Sequence, residues 1–216
     1  MNQAIRIQLV DDHALVRAGF KYVLEGNPKI SVVAESSDGK AAIADFSSRK
    51  PDLVLMDISM PGMSGLALIQ HLLTRQPDAK IIIISMLGAD TASRAMAAGA
   101  KGFLGKQAAA AEMLLAVQTV MQGECYIDRE TAQHMAIAQI QGKHEPLRSL
   151  TGREYEVFIH LAKGLSIQAI ADTCFLSPKT VRSHKANIMH KLRLNNTVEF
   201  VRFAIKAGII DSGLET

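Results

Sequence analysis

Residues 53–65 read L-V-L-M-D-I-S-M-P-G-M-S-G, a short apolar run that ends in Asp57 and passes into a loop with proline and glycine. Apolar runs of this length are typical of strands that are buried on both faces of a parallel sheet. Four similar runs occur in the first half of the chain, at 5–10, 30–34, 80–84 and 102–104. Helix-length segments with apolar residues three and four positions apart separate these runs. The alternation predicts a doubly wound α/β domain with five parallel strands.

The chain after Ile127 shows no further alternation of strands and helices. A moderately amphipathic segment at 129–140 predicts a helix, and residues 141–149, which combine glycine, proline and charge, predict a linker. Beyond the linker the capping residues predict four helices, at about 152–163, 167–173, 177–192 and 197–207. The expected fold class is therefore α/β followed by all-α.

Charge is distributed unevenly between these two parts of the 216-residue chain, whose formal net charge is +3. Residues 1–124 carry 12 Lys and Arg and 12 Asp and Glu, whereas residues 125–216 carry 12 against 9. We therefore expect a neutral domain at 1–125, a linker at 126–148 with a helix at 129–140, and a basic domain at 149–216.

Several classes of protein are excluded by composition. The longest aliphatic run is far shorter than the ~18 residues of a membrane span, and the first residues do not form a signal peptide. Cys125 and Cys174 form no Cys-x-x-Cys pair, and we expect both to be small buried hydrophobic residues. The absence of Trp argues against an aromatic ligand groove. These features predict a soluble, cytoplasmic protein with no membrane partner.

Polar residues with compatible chemistry stand where four of the five predicted strands end. Asp11 and Asp12 follow the first strand, Asp57 ends the third, Ser85 follows the fourth and Lys106 follows the fifth. Open α/β sheets bind their ligands beyond these carboxyl ends, so we expect the five side chains to converge. Three carboxylates would repel one another unless a cation balances them, and an all-oxygen site suits Mg²⁺.

Charge balance indicates what this site could do. Three carboxylates carry −3, and Mg²⁺ with Lys106 carries +3, so a metal-bound site could accept a phosphoryl group. Asp57 is the best acceptor, because it stands alone at the end of the central strand before a loop. An acyl phosphate on an aspartate is an established form of nucleophilic catalysis. An aspartate at a strand end is otherwise most often a helix N-cap, the role we expect for Asp38.

Residues 1–125 resemble the receiver domain of a two-component response regulator. The resemblance rests on D-D at 11–12, on the stretch around Asp57, on I-I-I-I-S ending at Ser85 and on G-F-L-G-K ending at Lys106. It implies a flavodoxin-like sheet with strand order 2-1-3-4-5. It also implies that Asp57 receives a phosphoryl group from a sensor histidine kinase.

The resemblance assigns the remaining site residues. It implies that Asp12, Asp57 and the backbone carbonyl of Ser59 coordinate Mg²⁺, while Asp11 reaches the metal through water. It implies that Lys106 binds a phosphoryl oxygen. Such a domain catalyses only its own phosphoryl transfer and dephosphorylation, so the chain is not predicted to be an enzyme.

Two further residues are linked to activation by the same resemblance. Ser85 would shift toward the phosphoryl group, and Phe103 matches the aromatic residue that changes rotamer as the serine moves. An alternative for Phe103 remains open, because a phenylalanine on a short strand can be a plain core residue.

The segment 177–192 predicts an amphipathic helix with a basic outer face. At about 100° per residue, Val181, Ile188 and Leu192 fall on one apolar stripe. The opposite face and its flanks carry small and basic residues: Lys179, Thr180, Arg182, Ser183, Lys185, Ala186, His190 and Lys191. A short helix precedes it across a tight turn, an arrangement that fits a helix-turn-helix with its second helix in a major groove. A solvated basic surface helix is the alternative.

The outer face suggests a division of roles on DNA. Ser183 and Ala186 are small enough to let the helix approach base edges, and Arg182 is the best candidate for a bidentate contact to guanine. The residues that suit phosphate contacts are Lys179, Thr180, Lys185 and Lys191.

Residues 149–207 resemble the NarL/LuxR-type DNA-binding domain. The matching motifs are L-T-G-R-E-Y-E-V from Leu150, L-A-K-G-L-S-I-Q-A-I-A from Leu161 and L-S-P-K-T-V-R-S-H-K-A-N-I-M-H-K-L ending at Leu192. Together the two halves resemble a NarL/FixJ-family response regulator over nearly the whole chain. This implies double-stranded DNA as a partner, a homodimer formed on phosphorylation, and RNA polymerase as a further partner.

Three alternative functions are weighed against this interpretation. A haloacid-type phosphatase needs a second aspartate two residues after the nucleophile, where this chain has Ser59. A quorum-type regulator needs an aromatic-lined pocket, which the lack of Trp disfavours. A regulator of the same architecture that works without phosphorylation is the alternative that the sequence leaves open.

Overall fold

The computed structural model describes residues 4–60, 63–108, 110–140, 147, 149–174, 176–207 and 209. The chain forms two compact units. The first, called the sheet unit below, comprises Met1–Met135, and the second, the helical unit, comprises Ala136–Thr216. None of the helices in the described ranges is both long and apolar enough to cross a membrane.

A parallel sheet of six strands forms the centre of the sheet unit, in the order β2-β1-β3-β4-β5-β6. The strands are β1 (Ile5–Val10), β2 (Ile30–Ser36), β3 (Leu53–Asp57), β4 (Lys80–Ser85), β5 (Gly102–Gly105) and β6 (Tyr126–Ile127). The five predicted strands are present and have the order 2-1-3-4-5. The predicted strand count is nevertheless wrong by one, because β6 extends the sheet beyond β5.

The sixth strand escapes sequence analysis because it has only two residues, too few to show a periodic pattern. Tyr126 pairs with Gly102 and Ile127 with Phe103. The Tyr126 N–H also donates to the Lys101 carbonyl oxygen at 3.0 Å. The short strand thereby covers an edge of the sheet that would otherwise expose unpaired backbone groups.

Five helices accompany the sheet: α1 (Ala14–Glu25), α2 (Gly39–Arg49), α3 (Gly65–Arg75), α4 (Ala89–Ala97) and α5 (Ala110–Met121). A sixth helix, α6 (Arg129–Ile140), lies at the predicted position and includes the boundary between the two units. Alternate residues of the strands supply two separate cores. Val54 and Met56 belong to a core with residues of α2, α3 and α4, whereas Leu53 and Leu55 belong to a core with residues of α1 and α5. Because both faces are covered, the central strands β3 and β4 are apolar without alternation over 53–56 and 81–84. Asp38 caps α2 as expected, accepting the N–H groups of Lys40 and Ala41.

The helical unit contains the four predicted helices, each within one residue of the predicted bounds: α7 (Gly152–Ala162), α8 (Ile167–Cys174), α9 (Pro178–Lys191) and α10 (Thr197–Lys206). Capping fixes where two of them begin. Thr151 and Glu154 form a capping box at α7, and Ser177 caps α9 with a proline at its start. Gly208, the glycine directly after the predicted helix at 197–207, lies outside the described residues.

The core of the helical unit is built around Phe158 of α7, which is fully buried. Its ring centroid lies 4.9 Å from that of Phe200 and 6.1 Å from that of Phe203, both on α10. Val181 and Ile188 of α9 are also fully buried, which confirms the predicted apolar stripe of that helix.

The prediction that both cysteines are buried is confirmed for Cys174 and wrong for Cys125, which is exposed. Cys125 lies two residues after Gly123, whose φ is +93°, in the turn between α5 and β6. The backbone of this turn runs over the surface, so its side chains are not enclosed by either core.

Candidate functional site

The register of the parallel strands determines which strand ends lie side by side. Val10 is aligned with Met56, so the next residue on each strand, Asp11 and Asp57, are neighbours. Asp57 in turn is aligned with Ile84, directly before Ser85. The alignment of Ser85 with Gly105 completes this edge of the sheet. The predicted convergence of the strand ends therefore follows from the sheet itself.

Lys106 joins two of the carboxylates. Its Nζ lies 2.8 Å from Oδ2 of Asp11 and 2.6 Å from Oδ2 of Asp57. The lysine side chain is 13% exposed and each carboxylate side chain 3%, so the three charges are largely removed from water. In such a setting the single positive charge reduces the repulsion between the two carboxylates and leaves one negative charge in excess.

The environment changes the proton affinities of this group. Burial raises the pKa of Asp57 above its ordinary value, although hydrogen bonds from Lys106 and from the backbone N–H of Ser59 act in the opposite direction. Burial tends to lower the pKa of Lys106, but the two carboxylates outweigh it, and the pKa is raised. Lys106 therefore stays charged at neutral pH.

Asp12 and His13 lie beside this pair. The carboxylates of Asp11, Asp12 and Asp57 and the imidazole of His13 each offer a ligand atom, and these atoms lie within 4.8 Å of one another. Oδ1 of Asp12 is buried and accepts no hydrogen bond from the described residues, although Nδ1 of His13 lies 3.0 Å away. A buried oxygen without a donor beside other carboxylate oxygens fits a hard divalent cation such as Mg²⁺.

Three further predicted residues lie on or just after strands β3, β4 and β5. Ser59 follows Asp57 by two residues, and its N–H donates to Oδ1 of Asp57 at 2.9 Å. Ser85 is buried, and its Oγ accepts the N–H of Leu87 at 3.0 Å. Phe103 is fully buried and belongs to the core that α2, α3 and α4 cover. The structure thus places Ser85 at the site edge and Phe103 beneath it, in the core.

Two residues near this site were not predicted from the sequence. The first is His13, which neighbours Asp11 and Asp12 and is detectable only as part of the run D-D-H. The second is Asp128, which accepts the N–H of Gly105 at 3.0 Å and both the N–H and the hydroxyl of Thr131 at 2.8 Å. Asp128 thereby connects the residue before Lys106 to the start of α6.

A cavity of about 570 Å³ opens next to Ser85 and Lys106. Its lining comes from the loops after β4 and β5 and from the start of α6, including Asp128, Glu130 and His134. The start of α6 therefore borders the same edge of the sheet as the carboxylates.

The outer face of α9 is the second candidate site. Lys179, Arg182, Ser183 and Ala186 are exposed, and Lys185 is half-buried. Apart from Lys191, no acidic partner is found among the described residues for the lysines and arginine of this face. The structure therefore presents a basic surface with small residues at its centre, as the sequence predicts.

Two of the residues predicted to contact DNA already have partners within the helical unit. Nζ of Lys191 lies 2.6 Å from Oε2 of Glu154, a buried carboxylate in the capping box of α7. Although burial acts to raise the pKa of Glu154, the hydrogen bonds from Lys191 and Thr151 lower it. The Thr180 hydroxyl lies 2.8 Å from that of Ser177. Lys191 thus stabilises the start of α7, which makes it the least suitable of the predicted phosphate contacts.

Two protein families match different parts of the chain. Residues 7–118 match the response regulator receiver domain, and residues 148–204 match the luxR family of bacterial regulatory proteins. The chain is 37% identical over 211 residues to response regulator UvrY of Escherichia coli (strain K12), covering 96% of this chain and 97% of UvrY. It is 35% identical over 211 residues to response regulator GacA of Pseudomonas aeruginosa, covering 96% and 99%.

Solved structures give a similar result. RcsB from Salmonella enterica serovar Typhimurium, bound to promoter rprA in the presence of phosphomimetic BeF₃⁻, matches with a TM-score of 0.69 and 25% identity over 93% of this chain and 98% of that chain. Response regulator ChrA of a heme-sensing two-component system matches with a TM-score of 0.53 and 32% identity, over 96% and 99%.

Proposed function

Since the chain belongs to the two-component response regulators with a receiver domain and a LuxR-type DNA-binding domain, we propose that a phosphoryl group on Asp57 controls its binding to DNA. The observation that carries the proposal is the position of Lys106, whose Nζ is within hydrogen-bonding distance of Asp57 and Asp11 at once. We assign the phosphoacceptor domain to residues 1–125, the DNA-binding domain to 149–216, and the connection between them to 126–148, which includes β6 and α6. The donor is a sensor histidine kinase.

Transfer to Asp57 is mainly a matter of position and charge. A carboxylate oxygen of Asp57 attacks the phosphorus, the bond to the kinase histidine breaks, and an acyl phosphate forms. Lys106, which contacts the Asp57 carboxylate, would then neutralise the negative charge of the phosphoryl oxygens. Asp12, Asp57 and the Ser59 carbonyl would hold Mg²⁺ directly and Asp11 through water, and the cation supplies further charge neutralisation. Under this proposal the chain catalyses only its own phosphoryl transfer and dephosphorylation and has no separate substrate.

Incubation with acetyl phosphate and Mg²⁺, followed by intact mass measurement, tests this step. We expect wild type to gain about 80 Da, the mass of one phosphoryl group, and Asp57→Ala to gain nothing. Asp38→Ala, which removes an exposed helix cap, serves as the control and should gain the same mass as wild type. An unmodified wild type, or an equal gain in Asp57→Ala, would overturn the assignment.

Binding to DNA is assigned to α9. Its exposed basic face suits a major groove, with Arg182 reading a base and Lys179 and Lys185 contacting phosphates. RcsB, a structural neighbour, is seen bound to promoters, which supports the same role for this chain. Arg182→Ala should reduce binding to a selected duplex by about 1–3 kcal/mol and should affect unrelated DNA much less. Lys179→Ala is the matched control, because a phosphate contact should weaken both kinds of binding alike.

A homodimer is the form proposed to bind DNA, because one small domain makes few contacts. Val198, Val201 and Ile205 of α10 are exposed at 62%, 37% and 36%, and they lie on one side of the helix at three- and four-residue spacing. Another structural neighbour is described as two RcsB dimers bound to two parallel DNAs. An exposed apolar stripe of this kind fits the interface between two copies.

Activation would begin at Ser85 and Phe103. Ser85 would shift toward the phosphoryl group, and Phe103, from the adjacent strand, would change rotamer with it. The site of action is the cytoplasm, where DNA and the kinase domain are found, and RNA polymerase would be a further partner. A regulator of the same architecture that binds DNA without phosphorylation is the alternative, and it predicts equal DNA affinity before and after reaction with acetyl phosphate.

A further inference from the structure

Three metal-ligating side chains meet in the helical unit. Glu156 and His160 lie one turn apart on α7, and Cys174 is the last residue of α8. Each offers one ligand atom, and the three atoms lie within 4.8 Å of one another. Cys174 is fully buried, whereas Glu156 and His160 are partly exposed, so the cluster lies just below the surface. This group has no part in phosphoryl transfer or in the DNA-binding face of α9.

We propose that Glu156, His160 and Cys174 bind one transition metal ion of the Zn²⁺ type. A thiolate, an imidazole and a carboxylate are the three ligand types that Zn²⁺ accepts, while Mg²⁺ prefers oxygen alone. The spacing of four residues between Glu156 and His160 places both on one side of α7. Three protein ligands leave the fourth tetrahedral position to water.

A neighbouring arginine orients the carboxylate ligand and contacts the backbone of the cysteine. The Arg153 guanidinium forms an ion pair with the Glu156 carboxylate and also donates to the Cys174 backbone carbonyl oxygen. Outer partners of this kind fix the direction of metal ligands. The charges are also compatible, because a thiolate and a carboxylate balance a divalent ion and Arg153 leaves only one positive charge in excess.

Binding requires the Cys174 thiol to lose its proton, and because burial raises the pKa of this thiol to about 11, the charge of the ion must drive that loss. The Cys174 thiol interacts with the Glu156 carboxylate by a side-chain hydrogen bond, in which the S–H donates. When the ion binds, a bond forms between Sγ and the metal, and the thiol proton passes to solvent. The ion would then tie α7 to the end of α8, three residues before Ser177 caps α9. Occupancy is therefore expected to stabilise the helix pair that precedes the DNA-binding helix.

Titration of the full chain with Co²⁺, after removal of metals with a chelator, tests the proposal. Co²⁺ bound to a thiolate shows a ligand-to-metal charge-transfer band in the near ultraviolet, whereas the carboxylate site of the sheet unit contains no cysteine and cannot give one. With Mg²⁺ in excess to fill the carboxylate site of the sheet unit, we expect the band to rise to a plateau as Co²⁺ is added and to disappear when Zn²⁺ is added. The absence of the band in wild type would overturn the proposal.

Variants identify the ligands. The chain has two cysteines, so a band that persists in Cys125→Ser must come from Cys174. His160→Gln should weaken Co²⁺ binding at least about tenfold, because loss of a ligand should cost no less than loss of an outer-shell partner. His134→Gln, at an exposed site on α6, should not weaken it. Cys174→Ser replaces a buried residue and could unfold the unit. Circular dichroism therefore checks that this variant is folded. A band lost in Cys125→Ser, or unchanged in His160→Gln, would contradict the site.

Discussion

At the scale of single residues, the ionisation of Asp57 is opposed by its own burial. Its pKa is raised because burial outweighs the hydrogen bonds from Lys106 and from the backbone of Ser59. The folded chain therefore binds a proton at this carboxyl more tightly than the unfolded chain does. It follows that ionised Asp57 lowers stability at neutral pH, and that stability is regained as the pH falls through the raised pKa. The acceptor is kept at some expense to the fold, as is common at functional sites.

Asp57→Asn should therefore raise the stability of the protein when Mg²⁺ is absent. We expect an increase of a few degrees in Tm at neutral pH, because the amide is not charged. The difference should shrink as the pH falls through the raised pKa, since wild-type Asp57 then becomes protonated. Thermal unfolding followed by circular dichroism across this pH range measures both effects.

Asp38→Asn provides the matched control for this substitution. Asp38 is an exposed helix cap, and asparagine is an equally good capping residue, so its Tm should not change. Added Mg²⁺ should stabilise wild type and reduce the advantage of Asp57→Asn. A lower Tm for Asp57→Asn in metal-free buffer would show that the ion pair with Lys106 outweighs burial.

The residues of the carboxylate site were predictable because parallel strands place their carboxyl ends at one edge. Once the apolar runs are recognised, Asp11, Asp57 and Lys106 must lie close together. The partner of Lys191 was not predictable in this way. Glu154 is 37 residues distant in sequence, and the contact depends on how α9 packs against α7. Such partners follow from tertiary packing, which the pattern of a single helix does not contain.

At the scale of elements, the loop between β3 and α3 is held by a close contact. A Cβ atom on Gly65, the first residue of α3, would lie 2.6 Å from the Ile58 side chain and 2.7 Å from its backbone oxygen. Ile58 directly follows Asp57, so this contact fixes the backbone that leaves the phosphoacceptor. Residue 65 therefore has no room for a side chain unless the backbone of Ile58 moves.

Gly65→Ala should destabilise the protein by about 1–3 kcal/mol, because the backbone of Ile58 must move to admit a methyl group. Gly19→Ala is the matched control on another helix, since a Cβ at that position meets nothing within 4 Å. This control should gain about 0.5–1 kcal/mol from the higher helix propensity of alanine. Chemical denaturation of both variants measures the difference, and an equal response would show that the contact at Gly65 is not tight.

Long elements were predicted more accurately than short ones. The strands of four to seven residues and the capped helices of the second half have patterns that identify them. The two-residue strand β6 has no pattern of its own and forms only because the edge of β5 is available. Cys125 was wrongly predicted to be buried because residue type alone does not show that the turn before β6 lies on the surface.

At the scale of the whole molecule, the formal net charge of +3 combines a neutral part and a basic part. In the neutral part, Lys106 partly balances buried carboxylates. In the basic part, α9 presents exposed cations that are suited to DNA phosphates. Family relationships assign the two parts to a receiver domain and a LuxR-type domain. The central claim is that the state of the first part changes the activity of the second.

DNA affinity with and without a phosphoryl mimic tests this claim most directly. A duplex selected from a random pool by the full chain in the presence of BeF₃⁻ and Mg²⁺ is the probe, and fluorescence anisotropy gives its Kd. We predict that BeF₃⁻ with Mg²⁺ lowers the Kd of wild type at least about tenfold, within the range typical of coupled sites. We predict no change for Asp57→Ala. An equal Kd for wild type with and without BeF₃⁻, or an equal gain in Asp57→Ala, would contradict control of DNA binding through Asp57.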